Sequence, residues 1–222
     1  MALRVAAWDA PLRLFHWALA ALVVFSFISG KVGGALLEWH MRSGYAILAL
    51  LLFRLAWGIA GSHTARFASF VRGPRAVMGY LRASRAGRRP RAPGHNPLGG
   101  WSVLAMLAVL LLQATSGLFV DDEIATQGPL AGKVPNAVVA RMSAFHSYNE
   151  WLVVGLVALH LAAIAYYHWV ARVDLVGAML HGNLEVEEPI AAPAQAPAWL
   201  AAVLAAIAAA AVYVLVVIYP RG

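Results

Sequence analysis

The sequence predicts an all-α integral membrane protein, a four-helix transmembrane bundle followed by a fifth C-terminal transmembrane helix. Three observations carry that expectation. Of the 222 residues, 62% are hydrophobic and only 12% are charged, and the mean hydropathy is +0.71, whereas soluble domains carry about a quarter charged residues. Five apolar stretches are each long enough to cross a bilayer, which takes roughly 20 residues for about 30 Å of hydrocarbon. The net charge of +7 is also concentrated: Arg66, Arg72, Arg75, Arg82, Arg85, Arg88, Arg89 and Arg91 fall between Gly61 and Pro97 with no acid among them.

The spans are expected at about 14–32, 43–60, 98–120, 148–170 and 197–219. The first is too long for the apolar core of a signal peptide and lacks a small-residue cleavage site, so it reads as an integral span. The arginine-rich segment joins spans two and three. That position argues for the positive-inside rule and against a nucleic-acid patch. It sets the N-terminus in the cytoplasm and, after five crossings, the C-terminus in the periplasm. Within the segment, Pro74 can sit in the first turn of a short helix, "PRAVMGYLRAS", with Val77, Met78, Tyr80 and Leu81 on the membrane surface beneath an arginine face. Residues 121–141, with Asp121, Asp122 and Glu123 and two Pro-containing turns, are expected as an extracytoplasmic loop. Residues 1–182 then form the four-helix domain, 183–196 a linker, and 197–219 an alanine-rich helix suited to packing. No internal repeat is evident.

There is no cysteine, which excludes disulfides, thiolate metal sites, iron–sulfur clusters and covalently attached c-type haem on this chain. The chemistry is left to eight histidines. His146 and His160 lie fourteen residues apart in span four. At helical rise they stand about 21 Å apart along the axis and within roughly 40° of one face. Ionisable side chains inside a membrane are costly and call for named partners. The alternating direction of the spans supplies them. His40, in "EWHMRSGY" at the outer start of span two, matches His146 in depth. His16, in "RLFHW" near the cytoplasmic start of span one, matches His160.

Two histidine pairs at two depths form the ligand set for two non-covalent, bis-histidine b-type haems in a helix bundle. A bare zinc site wants three or four ligands in one place. Gly44, one turn past His40, with Gly117 and Gly155, removes side chains where a flat macrocycle can approach the backbone. Arg54 falls near the depth of the inner pair, and a haem propionate or a headgroup would pair with it. Arg42, beside His40, can do the same for the outer haem or extend to the interface. His168 is an alternative to His160, although about 80° off its face. His95, beside the expected cap Asn96 and Pro97, can line a quinone pocket or serve in the loop. Glu150 can hydrogen-bond a ligating imidazole or sit in the headgroup layer. His63 and His181 read as surface residues.

The stretches "WDAPLRLFHW", "EWHMRSGYAILALLLFRLAWGIAGS", "RFASFVRGPRAVMGYLR", "GHNPLGGWSVLAMLAVLLLQATSGLF" and "FHSYNEWLVVGLVALHLAAIAYYH" together resemble the prokaryotic cytochrome b561 family over about residues 5–182. That family includes the cytochrome b subunit of nickel–iron hydrogenases. The resemblance implies four helices holding two b haems on His16, His40, His146 and His160, in a bacterial inner membrane. It implies electron transfer between the quinone pool and an extracytoplasmic redox protein: a hydrogenase, another dehydrogenase or a c-type cytochrome. A homodimer is among the assemblies it allows. One branch of the family suggests the alternative of a superoxide:quinone oxidoreductase, for which Arg42, Lys133 and Arg141 are the available outer charges. A haem-free transporter or assembly subunit is the further alternative. The fifth span has no counterpart in the shorter members.

Overall fold

The computed structural model describes residues 3–86, 94–122, 126–186 and 193–221. Among them run β1 (Leu3–Ala6), α1 (Ala10–Val32), α2 (Leu37–Ala60), α3 (Phe67–Phe70), α4 (Pro74–Arg85), α5 (Pro97–Gly117), α6 (Asn136–Trp169), α7 (Leu175–His181), β2 (Asn183–Val186) and α8 (Ala198–Tyr213). Among the described residues five helices are long and apolar enough to cross a membrane: α1, α2, α5, α6 and α8, with short turns extending α2 and α8. Arg88, Arg89, Arg91, Glu123 and residues 187–192 of the expected linker lie outside the described residues.

The chain divides into two compact units, and each of the five long helices contributes residues to both. The first unit comprises Met1–Leu14, Leu55–Ala105 and Ala158–Ala201. Here β1 and β2 pair antiparallel, Leu3 opposite Val186 and Ala6 opposite Asn183. The sequence reading placed 183–186 in a linker. Their strand pairing joins the two ends of the four-helix segment, and a four-residue run carries no periodicity long enough to announce it. Gly182, in the left-handed region at φ 85°, closes α7 and accepts hydrogen bonds from the Ala7 and Trp8 amides. Asp9 then starts α1. One carboxylate oxygen accepts from the Leu12 amide at 2.7 Å and the other from Trp57 Nε1 at 3.0 Å. Trp57 has no exposed surface, so a full aromatic side chain and a buried carboxylate are fixed together.

The short arginine helix forms over Pro74–Arg85, as the sequence predicts. Its arginines are exposed, while Val77, Tyr80 and Leu81 are half-buried. The Tyr80 hydroxyl meets that of Tyr167 at 2.8 Å, and Asn96 Nδ2 donates to the same Tyr167 oxygen at 2.7 Å. Asn96 is the expected cap of α5, accepting from the Gly99 amide ahead of Pro97. Near the end of the linker, the Ala196 amide donates to Ser62 Oγ at 2.9 Å and the His63 amide to the Ala194 carbonyl.

The second unit comprises Phe15–Arg54, Met106–Val157 and Ala202–Gly222. Its apolar centre joins Leu48 of α2, Leu118 and Leu130 of the segment after α5, and Val212 of α8, with Tyr45, Leu111, Phe119 and Leu215 packed around them. The α5–α6 connection doubles back on itself: Gly128 donates to Val120 and Leu130 to Leu118. Helix α6 begins at Asn136, not near 148. The part of 121–141 read as loop beyond 135 is therefore helical. At 1.5 Å per residue its 34 residues extend about 51 Å, longer than a bilayer core, so its polar first turns need not lie in hydrocarbon.

Candidate haem site

The site is built within the second unit, where α2 and α6 bring His40 and His146 together. Their ring centroids are 6.2 Å apart with planes at 89°. A metal atom bound by one nitrogen of each ring would sit about 2 Å from each nitrogen, and each nitrogen lies about 1 Å from its ring centre, which requires about 6 Å between centroids. The spacing therefore fits one iron between two imidazoles.

The other ring nitrogens decide which atom is available. His40 Nδ1 lies 2.8 Å from the Ser26 carbonyl of α1, with Ser26 Oγ at 3.2 Å. His146 Nδ1 lies 3.0 Å from the Gln113 carbonyl of α5, with Ser116 Oγ at 3.1 Å. A carbonyl oxygen only accepts, so each Nδ1 is the protonated nitrogen, and the lone pair of a neutral ring sits on Nε2. Metal-ligating histidines are held this way, with the second nitrogen donating to a carbonyl and fixing tautomer and orientation.

Glycines make these contacts sterically possible. A Cβ on Gly30 would lie 2.8 Å from His40 Nδ1, and one on Gly117 3.0 Å from His146 Cε1. The sequence reading singled out Gly117 for the approach of a macrocycle, whereas the His146 imidazole lies against it; Gly30 was not singled out. Gly44 and Gly155, also anticipated, face open space, where an added Cβ meets no atom within 4 Å. Gly44 is half-buried, whereas Gly155 lies on an exposed face of α6. Among the described residues no three His, Asp or Glu side chains converge on one point.

The remaining predicted residues are placed as follows. Arg54, on α2 in the same unit, is 2% exposed. His16, on α1, is half-buried with Trp17 edge-on to it at 5.1 Å. Next to these, Phe15 and Phe53 pack with centroids 6.4 Å apart. His160 is half-buried on α6 in the first unit, and His168 is exposed. Arg42 is ion-paired to Glu38 one turn earlier and lies over the Trp39 ring. Glu150 pairs with Lys31 of α1, which also lies over the Phe27 and Trp151 rings. His95 is held between Trp8 and Phe70, each ring centroid 4.6 Å away.

Sequence reasoning missed the polar support of His146. Asn149, 5% exposed, donates to the Val109 carbonyl at 3.1 Å and to Gln113 Oε1 at 2.8 Å, while Gln113 Nε2 donates to the His146 carbonyl. The available signal was the presence of Gln113 and Asn149 inside apolar spans, where uncharged polar side chains bond across helices.

Two relatives are similar to this chain in sequence. Each is named "probable Ni/Fe-hydrogenase B-type cytochrome subunit". That of Azotobacter chroococcum mcd 1 is 25% identical over 208 residues, and that of Azotobacter vinelandii 24% identical over 208 residues. Both alignments cover 79% of this chain and 86% of the relative. Residues 7–182, from the segment ahead of Asp9 to the glycine that closes α7, match the prokaryotic cytochrome b561 family, and the chain belongs to that family.

Proposed function

We propose that this chain is a di-haem b-type cytochrome of the bacterial inner membrane that passes electrons between the quinone pool and an extracytoplasmic redox protein. Family membership makes it a multi-pass membrane electron-transfer protein and implies haem b. The finer reading assigns His40 and His146 to one haem and His16 and His160 to the other. The observation that carries it is the His40–His146 pair, spaced for one iron and with both Nδ1 atoms committed to backbone carbonyls.

Bound haem supplies reversible one-electron chemistry at its iron. The chain's own residues fix and insulate it. Ser26 and Gln113 hold the imidazoles in one tautomer, Gly30 and Gly117 let them lie against α1 and α5, and Gly44 leaves room for the macrocycle. Buried Arg54 is suited to a propionate of the haem on His16 and His160. Arg42, whose Nη2 donates to Glu38, would offer its remaining N–H donors to a propionate of the outer haem.

The orientation with a cytoplasmic N-terminus and a periplasmic C-terminus follows from the arginines around α4. The names of the Azotobacter relatives favour a hydrogenase as the partner. Superoxide turnover at the outer haem would use Arg42, Lys133 and Arg141 as a positive patch. Glu38 pairs with Arg42 and offsets its charge, while Lys133 keeps its charge over the Tyr219 ring.

The test is a haem count on purified full-length protein. Two b haems per chain are expected by pyridine haemochrome. His40→Ala and His146→Ala should each lose the same one, and His16→Ala and His160→Ala the other. A protein that keeps both haems in His146→Ala refutes the ligand assignment. Reduction of the haems by a quinol in liposomes tests the quinone assignment separately.

A further inference from the structure

The two histidine cradles share one local design. In α1 the carbonyl of Ser26 receives His40 Nδ1–H, and the residues three and four positions later are Ser29 and Gly30. In α5 the carbonyl of Gln113 receives His146 Nδ1–H, and the residues three and four positions later are Ser116 and Gly117. Each serine donates its hydroxyl back to the carbonyl its histidine uses: Ser29 Oγ to Ser26 O at 3.1 Å, Ser116 Oγ to Gln113 O at 3.0 Å. Each glycine is where a Cβ would strike the imidazole. Both serines are almost completely buried. The pairs α1–α2 and α5–α6 thus repeat a half-site that their overall sequences do not advertise: a Ser-Gly dipeptide on the first helix cradles a histidine on the second.

We propose that Ser29 and Ser116 are matched positioning residues that set the redox potential of the haem held by His40 and His146, by sharing the carbonyls that accept the two Nδ1–H groups. This rests on the ligand assignment proposed above. The physical argument runs through the carbonyl. Its two lone pairs are divided between the imidazole and the serine hydroxyl. Hydrogen bonding at the non-ligating nitrogen controls how electron-rich the ligating nitrogen is, and outer hydrogen bonds are a main lever on haem potential. Without the hydroxyl, the carbonyl draws harder on Nδ1–H. The imidazole becomes a stronger donor to iron, and the oxidised state is favoured.

The two serines are not equivalent. The single hydroxyl hydrogen of Ser29 is shared between Ser26 O and, nearer at 2.8 Å, the Phe25 carbonyl, and Ser29 acts on His40 only through Ser26 O, while Ser26 Oγ lies 3.2 Å from Nδ1. Ser116 Oγ touches both Gln113 O and, at 3.1 Å, His146 Nδ1 itself. The sign is therefore fixed for Ser29 and set by two opposed contributions for Ser116.

The experiment is a potentiometric titration of the haem α bands in full-length holoprotein, comparing the parent with Ser29→Ala, Ser116→Ala and the double variant. Ser29→Ala should lower the potential of one haem, and Ser116→Ala should shift that same haem. The double variant should shift it by the sum, with the second haem unmoved and haem content intact. The haem concerned is identified as the one lost in His40→Ala. Unchanged potentials in both single variants with two haems bound overturn the proposal, as do shifts that fall on different haems. If Ser116→Ala fails to load haem, Ser29→Ala alone decides by the presence or absence of a downward shift. Retention of both haems in His40→Ala and His146→Ala overturns the ligand assignment itself, a result separable from a silent serine.

Discussion

Replacing Gly44 separates the chain's needs from the cofactor's. Gly44 lies in α2 one turn past His40, with helical backbone angles, and an added Cβ meets no protein atom within 4 Å. For the polypeptide alone, Gly44→Ala should then be neutral or stabilising by up to about 1 kcal/mol, the usual gain of alanine over glycine inside a helix. If the open space is where the macrocycle lies, the same methyl intrudes on haem. Overpacking a filled site costs about 1–3 kcal/mol, which is about 5- to 150-fold in the dissociation constant. A larger side chain such as valine should abolish one haem outright. The assay is haem titration into apoprotein, followed by the α band, beside thermal unfolding of the apo form. The expected result is an apo transition equal to or above the parent's, with weakened binding of the haem that His40 ligates. Unaltered affinity for two haems in Gly44→Val would refute both the placement of the macrocycle and the reason given for this glycine.

Other perturbations follow from the same geometry. Gly30→Ala drives a methyl into His40 Nδ1. It should cost 10- to 100-fold in affinity for the same haem, the usual effect of losing support around a metal ligand, measured by the same titration. Arg54→Met should lower retention of the haem assigned to His16 and His160 in the haemochrome count, while Arg54→Lys, which keeps the charge without the bidentate fork, should recover part of it. Trp57→Phe removes the donor to a buried Asp9 carboxylate. It should destabilise the protein by about 1.5–3 kcal/mol, the range for hydrogen bonds to charged groups, seen as a lower unfolding temperature with haem content preserved.

Much of this was readable from the residues alone, for definite reasons. The spans are legible because hydropathy over about 20 residues measures a single physical requirement, and α4 because Pro74 marks its first turn. The opposition of His40 and His146 is legible because depth along alternating helices is fixed by helical rise. The start of α6 is not. Arg141, Ser143, Ser147, Asn149 and Glu150 break the apolar run, while the hydrogen bonds of Asn149 and the ion pair of Glu150 make those polar residues compatible with a continuous helix. Ser29 and Gly30 were equally hidden. Their role depends on which face of α1 meets α2, and α1 is apolar on nearly every side.

The fifth helix shows how little a packed span needs in order to belong. It lies beyond the matched residues 7–182, yet Val212 joins Leu48, Leu118 and Leu130 in one buried cluster. Leu48 stands one turn past Gly44 on α2. Lipid tails are as apolar as these side chains, so hydrophobic burial gives α8 almost no preference for α2 over lipid, and close packing must supply the attraction. Small residues favour this, and Ala208 is buried one turn before Val212. Near its start, the Ala194 carbonyl and the Ala196 amide are bonded to His63 and Ser62. A helix fastened by polar contacts at its entry and by alanine-rich packing along its length can cover the flank of α2 without any chemistry of its own. That is why a sequence with no histidine and no charge through 197–219 can still join the buried centre of the second unit.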